Sequence, residues 1–139
     1  LFGYVPQQTN LFNDTIFANI TFENDINKIN KAKLNEAIAK SGLKLFVENL
    51  SDGISTSVGE WGYKISGGEK QRISIARALY KDPEILIFDE SFNSLDRETK
   101  KNILGEIKAL LESKTIVMIS HIVDDLKDCS EILDLSKKN

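Results

Sequence analysis

Cysteine is almost missing from this sequence. Cys129 is the only one, which excludes an intrachain disulfide and suits a reducing compartment. With no second cysteine to pair with, Cys129 reads as a partly buried packing residue. Long hydrophobic runs are missing too. None approaches the ~20 residues of a membrane-spanning helix, and the N-terminus shows no basic-then-apolar leader, so any membrane role falls to other segments. An excess of one charge is the third absence. The chain has 18 basic and 21 acidic residues and a net charge of -3, too mild for bulk electrostatics to draw a nucleic acid or a membrane surface. No nucleic-acid partner is expected. The pair Lys137-Lys138 reads as a solvated tail rather than a binding patch. Neither internal repeats nor a low-complexity stretch occurs.

What remains is globular in composition. The 139 residues are enough for about one domain, and 41% of them are hydrophobic and 28% charged. Three short apolar runs organise the chain. Leu1 to Val5 leads to Pro6-Gln7, Ile85-Leu86-Ile87-Phe88 leads to Asp89-Glu90, and Thr115 to Ile119 leads to Ser120-His121. Each is rich in β-branched or aromatic residues and too short for a typical helix, so each is expected to be a buried parallel strand. A natural terminus seldom opens inside a strand, so sequence upstream of Leu1 is expected. Ligands of open α/β sheets bind beyond the carboxyl ends of the strands. Convergence of these three ends would set Gln7, Asp89, Glu90 and His121 around one pocket.

Helical patterns lie between the runs. Asn30 to Ser41 carries Leu34, Ala37 and Ile38 on one face, with Gly42 placed to end it. Glu69 to Tyr80 carries Ile73, Ala76, Leu79 and Tyr80 and stops before Asp82-Pro83. Arg97 to Glu112 carries Ile103, Ile107, Leu110 and Leu111, with Asp96 as its N-cap. Ser51 to Gly62 reads as a Gly- and Ser-rich loop. Helix and strand alternate from residue 67 onward, which indicates an α/β fold built from βαβ units. Residues 9–66 show no clear strand and read as a helical insertion.

The stretch Ile65-Ser66-Gly67-Gly68-Glu69 is the most informative. Ser66 and Glu69 have capping-box spacing, in which each side chain satisfies the other residue's amide. Two glycines leave the first amides of the helix open to a phosphate at the positive end of its dipole. Taken alone, these residues fit an ordinary capped helix equally well. Asp89-Glu90 is more telling, because two acids directly after four apolar residues make a costly turn without a cation or ligand.

The wider context carries a resemblance. Ser66-Gly67-Gly68-Glu69-Lys70-Gln71-Arg72, running into Ile75-Ala76-Arg77-Ala78-Leu79 and then a strand ending in Asp89-Glu90, resembles the signature motif and Walker B segment of ABC ATPases. Val5-Pro6-Gln7 looks like that family's Q-loop, Ser94-Leu95-Asp96 its D-loop, and His121 its switch histidine. Leu11-Phe12-Asn13-Asp14-Thr15-Ile16 and Thr56-Ser57-Val58-Gly59-Glu60-Trp61-Gly62 are similar to segments of the exporter branch, the second to its X-loop. The resemblance covers nearly the whole chain. It implies a partial P-loop NTPase (RecA-like) core with an α-helical subdomain. Residues 1–8 would be a strand and Q-loop, residues 9–66 the helical subdomain, and residues 67–139 the C-terminal part of the core.

The roles it implies have physical reasons. Phosphoryl transfer from ATP needs charge neutralisation and a positioned water. Asp89, a hard carboxylate at a strand end, would hold Mg2+, and Glu90 would orient or deprotonate the attacking water. His121 would contact the γ-phosphate and fix Glu90. Gln7 would bind Mg2+ or the water and move the helical insertion with nucleotide occupancy. Ser66, Gly67, Gly68 and Glu69 would bind, in trans, the ATP held by a second nucleotide-binding domain in a head-to-tail dimer. Ser94 and Asp96 would connect the two sites, and Glu60 would face the transmembrane domain. The whole would sit at the cytoplasmic face of the cell membrane and power export.

The sequence departs from the pattern in several places. No Gly-Lys-Ser or Gly-Lys-Thr occurs, so the amides and lysine that grip the β- and γ-phosphates are missing and little MgATP affinity is expected of this chain alone. Glu69 stands in place of the usual signature glutamine. Phe92 follows the acids where small residues are usual and is expected near the dimer interface, where it would alter D-loop packing. Trp61 replaces a basic residue and is expected to be an exposed contact for the membrane half. Two other readings compete. One is a DNA-repair or chromosome-maintenance ATPase of the same superfamily, disfavoured because no sustained heptads separate Gln7 from Ser66. The other is a non-catalytic scaffold fragment, disfavoured because the strands beside Ile85–Phe88 would have unpaired edges.

Overall fold

Three short β-prone runs form one sheet. In the computed structural model, which describes residues 2–134, these are β1 (Phe2–Val5), β2 (Ile85–Asp89) and β3 (Thr115–Ile119). The Trp61 side chain, Leu1 and residues 135–139, with Lys137 and Lys138 among them, lie outside the described residues. The sheet is parallel throughout in the order β1-β2-β3, with Val5 opposite Phe88 and Asp89 opposite Ile119. Parallel pairing puts all three carboxyl ends at one edge, which is what the site requires.

Among the described residues six helices accompany the sheet: α1 (Ile16–Thr21), α2 (Lys31–Lys40), α3 (Lys44–Glu48), α4 (Gly67–Tyr80), α5 (Arg97–Ala109) and α6 (Val123–Leu126). Two apolar clusters result. Leu11, Ile16, Ile20, Leu34, Ile38, Leu43, Val58, Ile73 and Ala76 fill one, among the helices that follow β1. Val5, Leu86, Phe88, Ile75, Ala78, Phe92, Ile103 and Ile107 fill the other, on one face of the sheet. Helix α4 divides them. Its Ile73 and Ala76 serve the first cluster, and its Ile75 and Ala78 serve the second. A helix buried on two faces needs apolar residues around most of its girth, as α4 has.

Side-chain caps set the starts of α1, α2, α4 and α5. Asn30 caps α2 by accepting from Lys33 N, and Asp96 caps α5 by accepting from Thr99 N. Helix α2 ends in a Schellman motif, with Gly42 N bonded to Ala39 O and Leu43 N to Ile38 O. Gly42 takes a φ of 72° there, which explains the glycine.

The differences from the sequence reading have local causes. Helix α5 stops at Ala109 rather than Glu112, because Lys114 N and Ser113 Oγ both bond to Leu110 O. Leu110 is buried, but Leu111 is exposed. The Ser51–Gly62 stretch holds two 3-10 turns, Gly53–Ser55 and Glu60–Gly62, and Ser57 forms an isolated antiparallel bridge with Thr15. The strands are buried on one face only. On the other face Phe2, Tyr4, Ile85, Val117 and Ile119 are exposed, since nothing in residues 2–134 packs over them. Strand β2 is paired on both sides, and among the described residues the outer edges of β1 and β3, the strands beside Ile85–Phe88, are unpaired as expected. Among the described residues no helix is long and apolar enough to cross a membrane.

Candidate functional site

The carboxyl end of β2 delivers Asp89 and Glu90 to the edge where β1 and β3 also finish. Glu90 N bonds to Ile119 O at 2.9 Å, extending the β2–β3 ladder by one residue. Glu90 then takes a left-handed φ of 45°, a conformation costing roughly 1–2 kcal/mol for a residue with a Cβ. Strain of this kind concentrates at functional positions.

The Glu90 carboxylate is the hub. Gln7 Nε2 donates to its Oε2 at 2.6 Å, and Asn93 Nδ2 reaches the same oxygen at 3.4 Å. His121 Nε2 lies 2.7 Å from its Oε1. The Glu90 side chain is only 18% exposed, whereas that of His121 is 86% exposed. One strand end thus holds the carboxylate, and the other two each supply a donor to it. Asp89, next in line, accepts a hydrogen bond from Tyr4 Oη at 2.8 Å. That bond to Asp89 is the main cause holding the Tyr4 phenol above its ordinary pKa. The four residues expected to converge do so, three in direct contact and Asp89 beside them.

The second group of expected residues surrounds the start of α4. Ser66 N bonds to Glu69 Oε2 at 2.8 Å, and Glu69 N bonds to Ser66 Oγ at 3.3 Å, a complete capping box. A methyl group on Gly67 would meet open space. One on Gly68 would come within 3.3 Å of the Ser94 carbonyl oxygen. The glycine pair therefore combines an open approach with close packing against Ser94. Ser94 and Asp96 are both exposed. Hydrogen bonds from Thr99 hold the Asp96 carboxyl below its ordinary pKa. Glu60 is exposed in its 3-10 turn.

Several contributors escaped sequence reasoning. Gln71 is buried, donates through Nε2 to Pro6 O at 2.9 Å and accepts from Thr9 Oγ1 at 3.1 Å, tying α4 to the segment that carries Gln7. Arg77 Nε donates to Asn19 O at 2.8 Å, and its guanidinium lies 4.9 Å from the Phe22 ring centroid. One signal was available: Gln71 falls in the same helical stripe as Ile75 and Ala78, and a polar residue on an apolar stripe asks for a buried partner. Tyr4 and Asn93 gave none, because only tertiary placement aims them at the acids. Phe92 differs from expectation. It is buried and stacks on Phe88 at 5.3 Å between ring centroids, inside this chain's own core rather than at an interface. The expected Trp61 contact concerns a side chain outside the described residues.

A parallel sheet with acids at its central strand end, a glutamine and a histidine converging on them, and a capped glycine-rich helix beside it defines a class. The chain belongs to the ABC transporter family, which residues 1–93 match. Among individual proteins, a putative export ATP-binding/permease protein of Rickettsia typhi is 41% identical over 135 residues, covering 97% of this chain and 23% of that protein. An ATM1-type heavy metal exporter of Novosphingobium aromaticivorans is also 41% identical over 135 residues, covering 97% of this chain and 22% of its own length. The solved structure of a bacterial Atm1-family ABC exporter with ATP bound superposes with a TM-score of 0.83 at 40% identity, covering 90% of this chain and 22% of that chain. The fold is that of an ABC ATPase, and the chain spans under a quarter of the length of these relatives.

Proposed function

We propose that the chain is the part of an ABC exporter's motor domain running from the Q-loop through the switch histidine, and that the complete domain hydrolyses ATP at Glu90. The observation carrying this is the convergence of Gln7 and His121 on Glu90 at 2.6 and 2.7 Å, from three adjacent strand ends. Every side chain described in contact with the carboxylate presents a nitrogen to it, as suits a group that orients a water and takes its proton. Residues 1–8 would be the strand and Q-loop, residues 9–66 the helical subdomain and residues 67–139 the C-terminal part of the core, a division supported by Gln71 tying α4 to Pro6.

The residues present fit Mg2+ as a companion of nucleotide. Among the described residues no cluster of three or more His, Cys, Asp or Glu forms a metal cage. Mg2+ is commonly held by one or two carboxylates, with phosphate and water oxygens completing its shell. Asp89 and the amide oxygen of Gln7 would hold it, and it would neutralise developing phosphate charge. ATP would be gripped mainly by the P-loop of the complete protein. Ser66, Gly67, Gly68 and Glu69 would meet the γ-phosphate bound by a second domain across a head-to-tail dimer. Ser94 and Asp96 line that junction, and the packing of Gly68 on Ser94 supports their acting together. Glu60 would transmit motion to a transmembrane domain at the cytoplasmic face of the membrane. The export function of the relatives supports this reading.

Glu90→Gln in the complete protein tests it. Turnover is expected to fall at least ~100-fold, with ATP binding retained. Undiminished hydrolysis overturns the assignment.

A further inference from the structure

His121 is poorly held by its own side chain. Its ring is 86% exposed and reaches Glu90 alone among the described ion pairs and side-chain hydrogen bonds. What fixes it is the loop on either side. Ser120 Oγ donates to Asp125 Oδ2 at 3.0 Å, a better contact than its alternative acceptor Ile122 O at 3.4 Å, and it accepts from Ile122 N at 3.0 Å. Asp125 N in turn bonds to Ile122 O at 3.0 Å. Both neighbours of His121 are therefore tied to Asp125.

Asp125 is anchored in its turn. Its Oδ1 meets Lys100 Nζ at 2.5 Å, with only 4% of the Asp125 side chain and 17% of the Lys100 side chain exposed. The other described Lys–carboxylate pairs each keep a carboxylate more than half exposed. Lys100 stands on α5 one turn beyond Asp96, and Lys100 N bonds to Asp96 O at 2.9 Å. A buried pair costs desolvation and is weak evidence of stability by itself. Two charges shielded from water do make a stiff, directional link. The path runs from the Asp96 end of α5 through Lys100, Asp125 and Ser120 to the backbone of His121.

We propose that Lys100 and Asp125 are positioning residues that aim His121 at Glu90 and tie its loop to the helix that Asp96 caps. This rests on the reading that His121 acts on Glu90. Neither residue touches the reacting groups, so their effect passes through the histidine.

The test measures ATP turnover against ATP concentration in the complete protein. It compares Lys100→Arg, the paired Lys100→Met/Asp125→Leu, His121→Ala, and the three substitutions combined. The paired change removes both charges, which avoids leaving one buried alone. Lys100→Arg is expected to retain most turnover. The paired variant is expected to lose roughly ten- to hundredfold in kcat with KM for ATP unchanged, the scale of a misplaced group. The triple variant is expected to turn over no more slowly than His121→Ala. A paired variant with wild-type kcat, or a triple variant whose loss multiplies that of His121→Ala, overturns the proposal. Wild-type turnover in His121→Ala overturns instead the reading on which it rests. If the paired variant fails to fold, Ser120→Ala cuts the same link without touching the charges. Unchanged kcat in Ser120→Ala would then be decisive against the proposal.

Discussion

Glu90 gathers its partners through chemistry that single residues define. His121 has no packed ring to preserve, so His121→Ala should leave the fold intact and act on turnover alone. On the proposed reading, in which His121 fixes Glu90, its loss predicts a fall of roughly 100-fold in steady-state phosphate release from the complete protein. A near-normal rate would make the histidine structural. A second residue-scale prediction concerns pH. Lys114 bonds to Asp82 and is the chief cause holding that carboxyl below its ordinary pKa. A depressed native pKa stabilises the fold above the unfolded carboxyl's pKa. That stabilisation is lost as pH falls through the native value. Wild type should therefore melt above Asp82→Asn at pH 7, and the gap should close in acid below the carboxylate range. Asp82 is largely exposed, so the gap should reflect no more than about 1 kcal/mol. A gap that persists in acid would rule out the ion pair as its source.

At the scale of elements, the legible ones carried both a period and punctuation. Helices α2, α4 and α5 combine apolar spacing with Asn30, Ser66 and Asp96 as caps, and their starts follow from those residues. Helix α1 was not legible. Its six residues are buried almost all round, so no polar face marks a period, and its cap Thr15 gains weight only from its bridge to Ser57. Helix α3 is likewise too short for a pattern to declare itself. The link between α4 and the Gln7 segment gives this scale its prediction. Gln71→Leu keeps the volume but strips the Pro6 carbonyl and Thr9 hydroxyl of their partner. The expected cost is about 1–3 kcal/mol, read by chemical denaturation of the complete protein. On the proposed reading, ATP-dependent movement of residues 9–66 in the complete protein should weaken with it. Unaltered stability would mean that water replaces the amide freely.

At the scale of the molecule, the sheet has one apolar face covered and one bare. Parallel sheets occur almost only with both faces covered, and the relatives are more than four times longer than the matched segment. The 139-residue chain by itself should therefore bind hydrophobic dyes and associate through the face bearing Tyr4, Ile85, Val117 and Ile119. Val117→Lys should reduce the association seen by analytical ultracentrifugation. A monomer that binds no dye would show that the face needs no cover. Calorimetry with MgATP should detect little binding to this chain, because no Gly-Lys-Ser or Gly-Lys-Thr is present to grip the phosphates.

The linear order of residues determined the strands, the capped signature helix, and the identity of Gln7, Asp89, Glu90 and His121 as strand-end polar groups. Each of those depends on neighbours within a few positions, through side-chain period, capping or an abrupt change from apolar to acidic. Tertiary structure decided what met what. Tyr4 is bonded to Asp89 and Gln71 to Pro6, Phe92 stacks on Phe88 rather than facing outward, and Lys100 reaches Asp125 behind the histidine. These contacts join residues brought together by sheet register and helix packing, and register is a property of the folded sheet that no local window of sequence contains.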